Sequence, residues 1–539
     1  FFCHYSYNIS ITLKGGINNM KINSQMPVNV PVSQTLKKDS AGNIEPKDGF
    51  TPSSEGADDK HKLVLLQIDG LSKPALEKAI DKGFAPNIQK LIERETHILR
   101  SFNCGIATVT IPILSAIFYG QEMPANDWYD KQSGQMIDSI TQEDVVKEKA
   151  LKKGDKGMLS GGVAYSSPFS GGAEETGAVV SVLKKEMKEK GLLKTLAKEI
   201  KTEVSLLKKG GYSLTKAGWH TVRDIFKLSA KMIKAGRFNT KTDKLGTILM
   251  SLNENIIPQM GTEGIKKAIE EHKPTAYIDY AAYDEQAHYF GPESEEAFHA
   301  LKEIDKLIGQ VIEKADKSGD NYNVFIFSDH GQTPSKLFKE VYGKPVGDVI
   351  KDMAKDCSPS GYRDGDVEFS DAYSLGDVYF TQNRDCAVDI KDIEKKFPGM
   401  TDKLVNHPGI GLVVVRDGDN YVLKGKEGSF VMDGETKVVR QEGKSPLAHF
   451  GDETLLRRHI NNYMNLEQTG DIVIFGEYDG KDVIDFNKKY SLASLHGGIG
   501  GNQTQPFIIT DASLPIADKE IIEATDIHQV YLDNQDQVG

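Results

Sequence analysis

Cysteine is scarce in this chain: Cys3, Cys104, Cys357 and Cys386 are the four among 539 residues, and no C-x-x-C pair occurs. That pattern is neither a disulfide framework nor a cysteine zinc site, and it suits a reducing compartment. Long apolar runs are also missing, so the sequence does not read as integral to a bilayer. Basic excess is missing as well. The net charge of -12 and pI of about 5.6 argue against a general nucleic-acid binder, which needs cations to neutralise phosphates. An anionic substrate must therefore be met by local charge or by metal. The opening residues lack the basic lead and small-residue cleavage site of a signal peptide, and a cytoplasmic protein is the expectation. K-G-G just before Met20 is what a purine-rich bacterial ribosome-binding site spells when translated. The natural start is thus expected at Met20, in a bacterial source.

What the chain does contain is core-forming material, 39% hydrophobic residues, enough for more than one domain. After a Pro-, Ser-, Asn- and Gly-rich arm over residues 1–60, read as disordered or extended, H-K-L-V-L-L-Q-I-D-G is a continuous apolar run closed by Asp-Gly. Such a run marks a strand buried on both faces. Similar runs recur as T-A-Y-I-D-Y, N-V-F-I-F-S-D-H-G, D-I-V-I-F-G-E and P-F-I-I-T-D, with helical patterns such as residues 294–314 between some of them. The predicted class is α/β, a mainly parallel central sheet flanked by helices. Two insertions interrupt it. Core segments are expected at 61–139, 251–335 and 471–539, a basic helical insertion at 140–250, and a second insertion with short β-strands and Asp-Gly turns at 336–470. Residues 182–245 carry 17 Lys+Arg against 6 Asp+Glu, a local excess of 11 in an acidic protein. They form a solvated helical cap or, on their basic amphipathic pattern, a peripheral membrane contact over 183–245.

Several core runs end in a carboxylate with histidine nearby: Asp69, then Asp284 and His288 in Y-D-E-Q-A-H, then Asp329 and His330 in S-D-H-G, with His496 opening H-G-G. Ligands bind beyond the carboxyl ends of strands in open α/β sheets, so these six side chains are expected to converge. Three Asp and three His make two sites of mixed oxygen and nitrogen donors, which suits zinc or manganese better than calcium or magnesium. Asp284 and His288 lie one helical turn apart and can share an ion. Taken singly, an Asp-Gly after a strand is a common turn and D-x-x-x-H is an ordinary helix-surface pair. The ordered series is the signal.

The stretch C-G-I-A-T-V-T-I-P-I-L-S-A-I-F-Y-G offers Cys104, Thr108, Thr110 and Ser115 as nucleophile types. A hydroxyl nucleophile needs activation by a base or a metal.

The order D-G, T-x-P, D-x-x-x-H, D-H-G, H-G-G resembles the alkaline phosphatase superfamily, and within it the type I phosphodiesterase/nucleotide pyrophosphatase family. The likeness covers residues 62–130, 275–334 and 471–532; A-T-D-I-H-Q-V-Y-L also resembles the superfamily's terminal helix. The resemblance implies two zinc ions, one held by Asp284, His288 and His496, the other by Asp69, Asp329 and His330. It implies Thr110 as the nucleophile, bridging to the second ion, and Asn126 in N-D-W-Y-D as a donor to the phosphate oxygen. The interval from Thr110 to Asn126 is shorter than that family's. I-L replaces the N-H that follows its T-F-P. Cys104 invites a sulfatase reading, but C-G-I-A-T lacks the Pro and Arg of that maturation motif.

The expected function is hydrolysis of a phosphodiester or nucleotide pyrophosphate through a phosphothreonine intermediate, with a phosphorylated small molecule as partner. A phosphomonoesterase is the alternative, with cofactor-independent phosphoglycerate mutase more remote because it uses Ser. A non-catalytic binding protein tied together by its metals is the alternative from another class.

Overall fold

The computed structural model describes residues 62–124, 127–191, 194–195, 198, 256–359, 361–382, 387–488 and 491–536. The N-terminal arm with Met20, Asn126, Cys386 and most of the basic segment fall outside them.

Strand β1 (Lys62–Ile68) is the centre of a seven-stranded sheet. It pairs in parallel with β2 (Thr275–Tyr280) on one side and β3 (Tyr322–Phe327) on the other. The order across the sheet is His97–Ser101, Phe507–Asp511, β3, β1, β2, Val163–Tyr165, Glu175–Gly177. Phe507–Asp511 is antiparallel to both its neighbours, and the remaining pairs are parallel. The apolar runs behave as a period of two demands. Leu63, Leu65, Tyr277, Phe325 and Phe327 enter one hydrophobic cluster. Val64, Leu66, Ile68, Ile278 and Ile326 enter another on the opposite face.

Two of the helices that cover these faces carry a boundary signal in sequence, α1 at its end and α3 at its start. Helix α1 (Thr110–Tyr119) is buried at every position and ends on Gly120 at φ 58°, the left-handed cap that glycine takes without penalty. Helix α2 (Ala282–Phe290) follows β2 almost directly. Helix α3 (Glu295–Asp316) starts on Ser294, whose hydroxyl accepts from the Ala297 amide, and has Glu295 and Glu296 in its first turn, where the helix dipole favours negative charge. Its buried positions Phe298, Leu301, Ile304, Ile308, Val311, Ile312 and Ala315 form the stripe expected at a 3.6-residue period. Helix α4 (Ala524–Asp536) packs against α1.

A second seven-stranded sheet is antiparallel throughout. It begins with the hairpin β4 (Val367–Ala372) and β5 (Leu375–Phe380). The next strand across is Ile472–Gly476, followed by Ile410–Asp417, Asn420–Gly425, Gly428–Met432 and Val438–Gly443. Here the structure corrects the sequence reading: the run D-I-V-I-F-G belongs to this antiparallel sheet and not to the central one. The physical reason is that Ile472 and Ile474 pack into one cluster and Val473 and Phe475 into another. Burial on both faces produces the same apolar run whichever sheet supplies the neighbours.

Among the described residues, no helix is long and apolar enough to cross a membrane.

Candidate active site and metal centre

The carboxyl ends of β1, β2 and β3 open on the same side, and each delivers part of one site. Asp69 follows β1 directly, with Gly70 at φ 70°. A Cβ on Gly70 would stand 2.1 Å from Asp284 Oδ1. Glycine here is therefore what allows the carboxylate from α2 to approach the end of β1. Asp284 and His288 share one face of α2, with His288 Nε2 3.1 Å from Asp284 Oδ2. Asp329 and His330 occupy the turn after β3, where the Gly70 and His330 amides both donate to Asp329 Oδ1 at 3.3 and 3.0 Å. Gly331 packs against Ser72 and the Asn502 carbonyl, so a side chain there has no room. His496 arrives from the segment after Leu495.

These six side chains gather into two groups, Asp284 with His288 and His496, and Asp69 with Asp329 and His330. Within each, one donor atom per residue lies within 4.8 Å of the others, and all six are buried. The two groups touch: the His330 and His496 rings are stacked with centroids 3.7 Å apart.

The chemistry of the donors fits divalent cations. Each histidine donates Nδ1–H to a backbone carbonyl: His288 to Ser494 at 2.9 Å, His330 to Gly331 at 3.1 Å and His496 to Thr108 at 2.8 Å. That leaves Nε2 as the lone-pair nitrogen of His330 and His496, the arrangement metal-ligating histidines use, while His288 Nε2 faces Asp284 and would have to give up its proton to hold a cation. Asp69 Oδ1 and Asp329 Oδ2 are buried and have no hydrogen-bond donor, which for carboxylate oxygens costs free energy unless a cation sits against them. Gln332 donates to the Asp284 carboxylate and to its backbone carbonyl, holding that ligand in place.

Crowding sets the protonation of the group. Burial, then the charge of Asp329, pushes Asp69 well above the usual carboxylate range, and burial with the charge of Asp284 raises Asp329 to about 6. Burial also acts to raise Asp284, but the charge and hydrogen bond of His288 outweigh it and hold that carboxyl well below its ordinary value. His330 is lowered to about 4 by burial. Burial and the neighbouring His330 hold His496 well below the ordinary imidazole value.

Thr110 is the first residue of α1 and is 7% exposed. Its Oγ1 lies 3.4 Å from His330 Nε2, against the group that contains Asp69 and Asp329. The other nucleophile types of that stretch take different roles. Burial pushes the Cys104 thiol upward, away from thiolate. Ser115 is fully buried within α1. Thr108 is a clamp: its hydroxyl donates to the Gly498 carbonyl at 3.1 Å and accepts from the Gly497 amide at 2.7 Å, while its carbonyl holds His496. Asn126 lies outside the described residues.

Sequence reasoning missed Asp279. It sits in β2, is 1% exposed, has no hydrogen-bond partner on either oxygen, and is raised well above the usual range by burial and by Asp329. One charged residue inside the apolar run T-A-Y-I-D-Y was the available signal.

The profile of the type I phosphodiesterase / nucleotide pyrophosphatase family matches residues 63–355, more than half of the chain. Among solved structures, phosphonoacetate hydrolase from Sinorhizobium meliloti 1021 in complex with phosphonoformate is similar at 14% identity and TM-score 0.47, covering 88% of this chain and 96% of that one. Murine ectonucleotide pyrophosphatase / phosphodiesterase 5, as an inactive variant in complex with AMP, is similar at 12% identity and TM-score 0.44, covering 88% and 95%. Wild-type alkaline phosphatase PafA is similar at 16% identity and TM-score 0.48, covering 88% and 95%. A search of curated proteins found no match. The protein is an enzyme of the class that hydrolyses phosphoric esters. It belongs to the type I phosphodiesterase / nucleotide pyrophosphatase family.

Proposed function

We propose that the enzyme cleaves phosphodiester or nucleotide pyrophosphate bonds, with Thr110 as nucleophile and two divalent cations held by the two Asp/His groups. The observation that carries this reading is Thr110 Oγ1 at the edge of the Asp69, Asp329 and His330 group, with the second group stacked beside it through His496. Zinc suits the donor set best and manganese is the substitute, because both accept mixed imidazole and carboxylate shells. Bound there, the cations supply positive charge at the reacting phosphate and make the threonine hydroxyl easier to ionise.

The residues of the chain do the rest. Thr110 attacks phosphorus, forming the Oγ1–P bond as the bond to the leaving oxygen breaks, and the departing oxygen leaves as the alcohol or phosphate. Water then attacks the same phosphorus and breaks the Oγ1–P bond, which regenerates the threonine. The amides at the N-terminus of α1 present the positive end of the helix dipole to phosphate oxygens. Burial of all six Asp and His side chains keeps bulk water from screening that charge.

The segments that build the site, Q-I-D-G, V-T-I-P-I-L, Y-D-E-Q-A-H, S-D-H-G and L-H-G-G-I-G-G, contain no lysine or arginine. A dianionic monoester gains from an additional guanidinium, whereas a singly charged diester does not need one. This favours diesters and pyrophosphates. Asn126 is proposed as a neutral donor to the phosphate.

The test compares bis-p-nitrophenyl phosphate with p-nitrophenyl phosphate, each with zinc or manganese and with chelator. Metal-dependent turnover that favours the diester supports the reading. Preference for the monoester makes the enzyme a phosphomonoesterase, and turnover of neither leaves a metal-tied binding protein.

A further inference from the structure

The second sheet reaches into the site through the turn between β4 and β5. β4 and β5 pair up to Ala372 opposite Leu375, leaving Tyr373 and Ser374 as a two-residue turn. Tyr373 has φ 56°, a backbone conformation that glycine adopts readily and other residues resist. The turn is held from several directions. The Phe486 amide donates to the Tyr373 carbonyl at 2.8 Å, the Gly476 amide donates to the Ser374 carbonyl at 2.8 Å, and the Ser374 hydroxyl donates to Gln503 Oε1 at 3.3 Å. It presses directly on the H-G-G segment: a Cβ on Gly497 would stand 2.0 Å from the Ala372 carbonyl oxygen, and one on Gly498 would stand 2.6 Å from the Ser374 hydroxyl. The two glycines after His496 are thus explained by the approach of this turn.

What the turn delivers is an aromatic ring. The Tyr373 ring centroid lies 4.9 Å from that of His496 and 5.9 Å from that of His288, so it flanks the Asp284, His288 and His496 group. Thr110 lies against the other group, at His330. In an in-line displacement the leaving oxygen departs on the side of phosphorus opposite the nucleophile. The ring therefore borders the leaving-group side.

We propose that Tyr373 contacts the leaving group of the substrate and selects leaving groups with a planar, apolar portion, such as an aryl or nucleobase-bearing alcohol. The inference rests on the assignment of Thr110 as nucleophile. A half-buried ring on a strained backbone position, in a turn held by three hydrogen bonds, makes a firm stacking surface. It also gives the β-rich sheet a part in substrate choice.

The test uses the full-length, metal-loaded enzyme and two diesters, methyl p-nitrophenyl phosphate and methyl 2,2,2-trifluoroethyl phosphate, followed by absorbance and by fluorine NMR. Taking the ratio of variant to wild-type kcat/KM for each diester cancels their intrinsic reactivity. Tyr373→Gly suits the turn's φ, so its thermal midpoint and metal stoichiometry are expected to equal or exceed those of wild type. Its kcat/KM for the aryl diester is expected to fall roughly tenfold, with little change for the trifluoroethyl diester. Tyr373→Phe is expected to keep the aryl preference. Equal losses on both diesters, or none on either, would overturn the proposal while leaving the function in place, provided that turnover still needs Thr110. Absence of turnover by the wild type on either diester would overturn both.

Discussion

The His330 and His496 rings lie face to face, 3.7 Å between centroids and 16° between planes, although they belong to different Asp/His groups. Two buried imidazoles stacked so closely disfavour a positive charge on either. Both are held below the ordinary imidazole range, His330 at about 4. Neutral rings with Nδ1 already engaged have one remaining function, donation from Nε2.

His496→Ala is therefore expected to remove one ion and leave the other. Metal analysis of the dialysed protein should fall from two equivalents to about one, and diester turnover should fall by roughly two orders of magnitude or more. An unchanged metal content would show that His496 is not a ligand.

Thr110→Ala is expected to abolish turnover, by about a thousandfold or more, while both ions stay bound. Thr110→Ser keeps the hydroxyl and should retain part of the rate. Steady-state rates alongside metal analysis separate loss of the nucleophile from loss of the site.

Thr108→Val probes the clamp between the start of α1 and H-G-G. Valine keeps the shape but leaves the Gly497 amide without its buried acceptor, which costs about 1–3 kcal/mol. A lower thermal midpoint should accompany a reduced kcat, because the Thr108 carbonyl also holds His496.

The pH dependence of the metal-free protein follows from its raised carboxyls. Asp69, Asp279 and Asp329 all sit above the ordinary value of 3.8, Asp329 at about 6. A carboxyl with a raised folded pKa binds its proton more tightly when folded, so its stabilising effect is complete at low pH. That effect is lost as pH rises from about 4 through the folded values. Protons and cations compete for Asp69 and Asp329, so metal binding strengthens over the same range. The difference in thermal midpoint between zinc-loaded and chelator-treated protein should widen from pH 5 to pH 7. A constant difference would mean that these carboxyls are not crowded in solution.

The convergence of the six Asp and His side chains was legible in the sequence because strand ends carry a strong signature. Asp69, Asp329 and His330 close apolar runs, and Asp284 and His288 show the helical spacing of α2. What stayed hidden depends on contacts between distant segments. Thr108 reads as a second candidate hydroxyl until Gly497 and Gly498 are placed against it. Asp279 reads as a strand residue until its burial beside Asp329 is known. D-I-V-I-F-G reads as a strand of the central sheet although it lies in the antiparallel one, because an apolar run records burial and not partners. Tyr373 carries no motif at all, since its approach to His496 depends on a turn some 120 residues earlier in the chain pressing on two glycines.

The central claim is that Thr110 takes the phosphoryl group before water does. It is tested most directly by hydrolysing a diester made chiral at phosphorus with oxygen isotopes, and reading the configuration of the product. Two successive in-line displacements, first by Thr110 and then by water, predict net retention. Inversion would show a single direct attack by water, and would contradict the account.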